Sequence, residues 1–153
     1  MIVIVFGLPG SGKSYFASRL AKKINAGYVN SDRLRKEMFE KRTYTEHEKA
    51  AVYHAMLVKM KEAMNENKNL VLDATFHKSK TRAPFIEETK GKESIFFIEI
   101  IADENITRER LKKDRPDSEA DFEVYKFIKQ ENEPLNMEHL LLESTDKNID
   151  SML

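Results

Sequence analysis

Short apolar runs alternate along the chain with stretches whose apolar residues recur at helical spacing. Residues 1–6 (MIVIVF) are an unbroken apolar run of the kind that forms a strand covered on both faces. Residues 15–24 have helical spacing, residues 27–30 (GYVN) predict a short second strand, and residues 32–41 predict a helix. Residues 46–65 predict a long amphipathic helix whose Met56, Met60 and Met64 read as core filling. A third strand at 70–72 ends at Asp73, and a helix follows at 79–89 with Pro84 near its first turns. Residues 95–101 (IFFIEII) form the fourth strand. Helices are expected at 104–113 and 119–132, the second closed by Pro134, then a last strand at 139–142 and a short terminal helix. No repeat or low-complexity linker interrupts this alternation. It predicts an α/β fold, a five-stranded, mostly parallel sheet flanked by helices. In such a sheet ligands sit beyond the carboxyl ends of the strands, where strand order reverses. A polar motif that follows a strand is therefore a candidate for function.

The first strand runs directly into Gly7-Leu8-Pro9-Gly10-Ser11-Gly12-Lys13-Ser14, which fits the phosphate-loop pattern G-x-x-x-x-G-K-[ST] at each fixed position. The glycines let backbone N–H groups converge on a phosphate, and the helix that follows directs its positive end to the same place. Gly7, Pro9, Gly10, Ser11, Gly12, Lys13, Ser14 and Tyr15 are the expected nucleotide-binding residues. Lys13 would reach the β- and γ-phosphates of ATP, and the Ser14 hydroxyl would ligate Mg²⁺. The other use of such a segment is a plain glycine turn with Lys13 solvated.

Composition adds exclusions. The 153 residues suit one domain spanning 1–153 and include no cysteine, which removes disulfides, thiolate metal sites and cysteine nucleophiles and is what a cytoplasmic protein would show. No signal-peptide pattern and no apolar stretch of membrane-spanning length is present, so a soluble intracellular protein is expected. Lys plus Arg and Asp plus Glu number 26 each, but residues 117–153 carry ten acidic and three basic side chains, which leaves a surplus of seven positive charges on residues 1–116. ATP alone could account for basic residues near the phosphate loop, so the asymmetry adds only slight weight to a nucleic-acid acceptor.

Three further clusters follow strands. Asp32, in Asn30-Ser31-Asp32-Arg33-Leu34-Arg35, would face the phosphate loop and could take the proton of an attacking alcohol; its structural alternative is a helix cap. Arg35 lies one turn further on the same face and suits an anionic group of an acceptor, or the orientation of Asp32. Asp73 resembles the Walker B aspartate that holds Mg²⁺ through water or fixes the Ser14 hydroxyl; otherwise it is a turn residue. Thr75, His77, Lys78 and Arg82 could line an acceptor pocket, His77 reading as a surface side chain rather than a catalyst. The basic stretch from Arg108 to Arg115 suits a short lid over about 104–120, with Arg110 and Arg115 ahead of Arg108 as groups that would stabilise the transferred phosphoryl charge. Solvated pairing with Glu109 explains most of the other charges there.

On GLPGSGKS, the NSDRLR segment, LDATF with Arg82 beyond it, the arginine-rich stretch and the SEAD segment at 118–121, the chain resembles the small P-loop kinases related to polynucleotide 5′-hydroxyl kinases. That group includes chloramphenicol phosphotransferase and zeta-toxin-like kinases. The resemblance implies a P-loop NTPase fold of nucleoside/adenylate-kinase type with a short arginine-bearing lid. It implies Lys13, Asp32, Arg35, Arg110 and Arg115 as catalytic residues, Asp32 as the base, and Ser14 and Asp73 at Mg²⁺. Two positions depart from it: Tyr15 stands where Thr or Ser is usual, and Arg110 and Arg115 are five apart where four is usual. The expected activity is ATP-dependent transfer of a phosphoryl group to an alcohol. A polynucleotide 5′-hydroxyl is slightly favoured over a metabolite, nucleoside or antibiotic hydroxyl, and a nucleotide hydrolase or switch without an alcohol acceptor is the remaining alternative.

Overall fold

Every residue of the first strand, β1 (Ile2–Phe6), is buried, none more than 4 % exposed, because it is the middle strand of a sheet whose two faces are both covered. The computed structural model describes residues 1–113, 121–145 and 148–153. After β1 come α1 (Lys13–Lys23), β2 (Gly27–Asn30), α2 (Ser31–Met38), α3 (Glu46–Asn65), β3 (Leu70–Ala74), α4 (Ser79–Thr89), β4 (Ile95–Ala102), α5 (Glu104–Leu111), α6 (Phe122–Glu131), β5 (Leu140–Ser144) and a 3-10 turn, Ile149–Met152. The strand order is β2-β3-β1-β4-β5, and every pairing is parallel. β2 and β3 thus lie on one side of β1 and β4 and β5 on the other, and the reversal opens a crevice just beyond its carboxyl end. The phosphate loop begins there.

Alternation along β1 divides the core in two. Ile2, Ile4 and Phe6 pack with Met56 and Met60 of α3 and Phe85 of α4. Val3 and Val5 pack with Phe16, Ala17 and Ala21 of α1 on the other face. The expected methionine stripe is therefore core, although Val58 of the same helix is exposed.

Several boundaries differ from those read in the sequence. α2 stops at Met38 rather than 41, because Phe39 turns extended and packs on the core. β3 continues to Ala74, so Asp73 is a strand residue and not part of a turn. By contrast, α4 has the bounds expected, with Pro84 its sixth residue and the helix continuing through it. β5 runs to Ser144 and excludes His139, whose ring is held by the Met137 carbonyl and the Glu99 carboxylate. The part of the expected lid at 114–120 lies outside the described residues.

The loop after β3 also holds α6 in place. The N–H of Glu133 donates to the His77 carbonyl at 2.7 Å, and the N–H of Ser79 donates to Glu133 Oε1 at 2.8 Å. Arg82 is buried, donates through Nε to the Phe76 carbonyl at 2.7 Å and through Nη2 to the Glu133 carbonyl. Lys78 pairs with Glu131 at 3.1 Å. Arg82 therefore acts as a strut between the β3–α4 loop and the end of α6. Replacing it by Met removes both donors and leaves their carbonyl acceptors without them, which should lower unfolding free energy by about 3 kcal/mol in urea titration. An unchanged midpoint would mean that α6 is held by its other contacts.

Candidate active site

The phosphate loop keeps its shape because glycine is required where it bends. A Cβ on Gly7 would lie 2.4 Å from the Ile100 carbonyl oxygen, an impossible contact with backbone of the neighbouring strand. Gly12 has φ +92° and occupies the N-cap position of α1, which has no side-chain cap and no acidic residue in its first turn. The positive end of this helix is thus not neutralised from within its own first turn, as an anion site requires. The loop is braced from the β5 side: Arg110 Nη1 donates to the Gly10 carbonyl at 3.1 Å and to Ser144 Oγ at 2.9 Å, and Ser144 donates to the Ser11 carbonyl.

Beneath Ser14 lies a buried polar knot. Asn30 ends β2, and its Oδ1 accepts from the Arg33 N–H at 3.0 Å, capping α2. Its Nδ2 donates to Asp73 Oδ2 at 2.8 Å and lies 3.2 Å from Ser14 Oγ. The Tyr28 hydroxyl donates to the same Asp73 oxygen at 2.6 Å. Burial, reinforced by the Asp73 charge, raises the Tyr28 pKa far above its ordinary value, so the phenol stays protonated and remains a donor. Asp73 is wholly buried, and its other oxygen, Oδ1, has no hydrogen-bond partner.

That orphaned carboxylate oxygen, on a residue joined to the Ser14 hydroxyl through Asn30, fits a hydrated Mg²⁺, which takes one or two protein oxygens and fills its shell with water and phosphate oxygens. The described residues contain no cluster of three or more His, Asp or Glu that could hold a metal.

Asp32 stands in the first turn of α2, and the cap is Asn30, two residues earlier. The capping alternative for Asp32 is therefore replaced: the cap position belongs to the residue that also reaches Ser14 and Asp73. Asp32 lines a cavity of about 510 Å³ together with Lys13, Ser14, Arg35 and Asp73, so the structure brings these five predicted residues to one space, with Pro9 at its edge. Arg35 is buried, 3.4 Å from Glu48 Oε1, and its guanidinium lies 4.4 Å over the Tyr44 ring. Its Nε has no hydrogen-bond partner. Burial works against the Glu48 carboxylate, but the N–H and hydroxyl of Thr43, the Tyr44 N–H and the Arg35 charge outweigh it and hold the carboxyl below its ordinary 4.5. Its contribution to stability is complete above pH 4.5 and is lost as pH falls below that through the lowered folded-state value.

Thr75 and His77 also line the cavity, whereas Lys78 and Arg82 are occupied in holding α6. His77 is half-buried rather than a plain surface residue. Burial first, and then the nearby Lys78 and Lys49, lower its pKa below 6.5, so the ring is neutral at pH 7. Arg110 is placed behind the loop as a brace and does not line the cavity, while Arg115 lies outside the described residues. Tyr15 is exposed, with Arg19 over its ring.

The site contains residues that the sequence pattern did not single out. Asn30 and Tyr28 are short-range neighbours of Asp32, but only the parallel pairing Asn30 to Asp73 reveals their role. Tyr44, which lines the cavity, and Phe76, a core residue between the lining residues Thr75 and His77, have positive φ, +56° and +43°. Phe76 is held there by the Tyr53 hydroxyl on its N–H, by Arg82 on its carbonyl, and by ring contacts with Tyr53 and Phe85. No local signal announces the Phe76 conformation, because it is imposed by packing.

Residues 2–135 match the family described as an AAA domain. No curated protein sequence matches the chain. A sugar kinase from a Janibacter species superimposes with a TM-score of 0.75 at 15 % identity, covering 99 % of this chain and 90 % of that one. The Mycobacterium tuberculosis APS kinase CysC, solved with AMPPNP and APS, does so with 0.71 at 18 % identity, covering 99 % and 91 %. Chaetomium thermophilum Kti12, solved with ADP-AlF3, gives 0.69 at 17 % identity, covering 99 % and 97 %. The shared feature is the P-loop kinase fold.

Asn30→Ala removes both the α2 cap and the tie between Ser14 and Asp73. Fluorescence titration should show ATP affinity weakened about tenfold in Mg²⁺ and little changed in EDTA, the pattern of a group that orients metal ligands. Equal weakening in both media would reduce Asn30 to a helix cap.

Proposed function

Since the chain belongs to this AAA domain family, we propose that it transfers the γ-phosphoryl group of ATP to the hydroxyl group of a small organic molecule. The observation that carries the reading is that Asp32 and the phosphate-binding pair Lys13 and Ser14 line the same cavity. A hydrolase needs only the donor half of such a site. The Asp32 carboxylate, on the same cavity, supplies in this reading the acceptor half.

In this reading the loop N–H groups and Lys13 hold the β- and γ-phosphates in line with the acceptor. Ser14, and Asp73 through water, would hold Mg²⁺, which would supply charge neutralisation at the phosphates. Asp32 accepts the proton of the alcohol as its oxygen bonds to phosphorus, and ADP leaves as the bridging P–O bond breaks. Arg35, with its unpartnered Nε, orients the acceptor or Asp32. Arg110 acts indirectly by fixing the loop, and Arg115 is kept as the candidate to contact the transferred group. The absence of cysteine and the need for ATP suit a cytoplasmic setting.

The polynucleotide acceptor favoured by the charge of residues 1–116 is the weaker alternative. A cavity of about 510 Å³ is in the range of small-ligand sites, and its α6 side presents Glu123 with Val124, Phe127 and Ile128 rather than a basic track for phosphates. The sugar kinase and APS kinase act on small acceptors by their names, which supports the same choice.

Asp32→Asn should lower transfer from labelled ATP at least about a hundredfold while ATP affinity stays within about twofold. Normal transfer by this variant would remove Asp32 from the chemistry. ATP turnover that ignores every alcohol offered would replace the kinase reading by a hydrolase.

A further inference from the structure

The cavity has two unlike ends. Lys13, Ser14, Asp32 and Asp73 gather where phosphate chemistry is expected, while α6 contributes Val124, Phe127 and Ile128. These three fall at i, i+3 and i+4 and so lie on one helical face. None of them belongs to either core cluster, and Val124 and Phe127 are 40 % and 57 % exposed. The residue of α6 that does bury itself is Tyr125, which points elsewhere on the helix. An apolar face that contributes nothing to the core, yet borders a cavity, is held in contact with water at a cost unless a ligand covers it.

This wall is fixed in place. The end of α6 is tied to the β3–α4 loop through Glu133, Arg82 and the Lys78–Glu131 pair, and that same loop supplies Thr75 and His77 to the cavity. The phosphate end and the apolar wall are thereby joined through the end of β3. Opposite stands Tyr44, with one ring face against Arg35.

Resting on the kinase reading above, we infer that the acceptor is an alcohol with an apolar body, aromatic or branched aliphatic, which packs against Val124, Phe127 and Ile128 while its hydroxyl meets Asp32. A polyol is disfavoured because hydroxyls pressed against these three side chains would exchange water for groups that cannot hydrogen-bond. A nucleic acid is disfavoured because the wall offers no cation for its backbone. The reaction balances as alcohol plus ATP giving phosphomonoester plus ADP. The alcohol oxygen forms the new P–O bond, the β,γ-bridging P–O bond breaks with its electron pair going to ADP, and the hydroxyl proton goes to the Asp32 carboxylate.

The test is transfer from γ-labelled ATP to four acceptor sets: aryl-alkanols such as 3-phenylpropan-1-ol, branched alkanols, polyols including gluconate, and a 5′-hydroxyl oligonucleotide. Aryl or branched alcohols should exceed polyols in kcat/KM by at least about tenfold. Phe127→Ser, a change at an exposed position, should raise KM for the preferred alcohol about ten- to a hundredfold and leave ATP affinity unchanged. Preference for gluconate or the oligonucleotide, or an unchanged KM in Phe127→Ser, overturns the apolar-acceptor inference and leaves the kinase reading intact. ATP binding without transfer to any of the four sets overturns both.

Discussion

The amide of Asn30 is the contact on which the site depends. One oxygen closes the first turn of α2, and one nitrogen spans the Asp73 carboxylate and the Ser14 hydroxyl, so a single side chain sets α2, β3 and the phosphate loop relative to one another. Parallel pairing of β2 with β3 makes this possible by putting Asn30 beside Asp73 in register. Both groups are nearly inaccessible to water, and there a misplaced amide or carboxylate would cost more than the net gain of an ordinary hydrogen bond. The network is therefore selective about geometry. Tyr28 completes it on one carboxylate oxygen, and the other is buried without a hydrogen-bond partner.

Around that knot the sheet supplies stiffness and the loops supply chemistry. β1 has strands on both sides and helices over both faces, so the loop that follows it starts from a fixed point. Gly7 lies against the Ile100 carbonyl, and Arg110 and Ser144 hold the loop carbonyls from behind. An arginine that reads in sequence as a lid group is thus bonded to the Gly10 carbonyl and to Ser144 Oγ, on the β5 side of the loop. The strained Phe76, locked by Tyr53 and Arg82, lies between Thr75 and His77, which line the cavity, and the same loop is tied to Glu133 at the end of α6, whose Val124, Phe127 and Ile128 line it as well. The β3–α4 loop thus joins two walls of one cavity.

Much of the donor half was legible in the linear chain. The phosphate loop is eight successive residues whose backbone makes the site, so its spacing is the structure. Asp73 could be placed because an apolar strand leads into it. Element boundaries were less legible where tertiary contacts overrule local preference, as at Phe39, which leaves α2 to join the core, and at His139, which bonds Glu99 instead of extending β5. The alternative of Asp32 as a cap was reasonable from residue type alone. It gave way because Asn30 occupies the cap position with the same kind of oxygen.

By itself the sequence determined the parallel α/β sheet, the nucleotide loop and the carboxylates that follow strands β2 and β3, since each is encoded by neighbours within a few residues. Only the tertiary structure decided the cavity beside the phosphate loop. It is assembled from α2, the start of α3, the β3–α4 loop and one face of α6, pieces that run from Ser31 to Ile128 in the chain. Nothing local distinguishes Val124, Phe127 and Ile128 from core residues, because helical spacing states which side chains share a face and not what that face meets. Contacts of Arg82 and Glu133 hold the end of α6 to the β3–α4 loop, and this face lines the same cavity as Asp32.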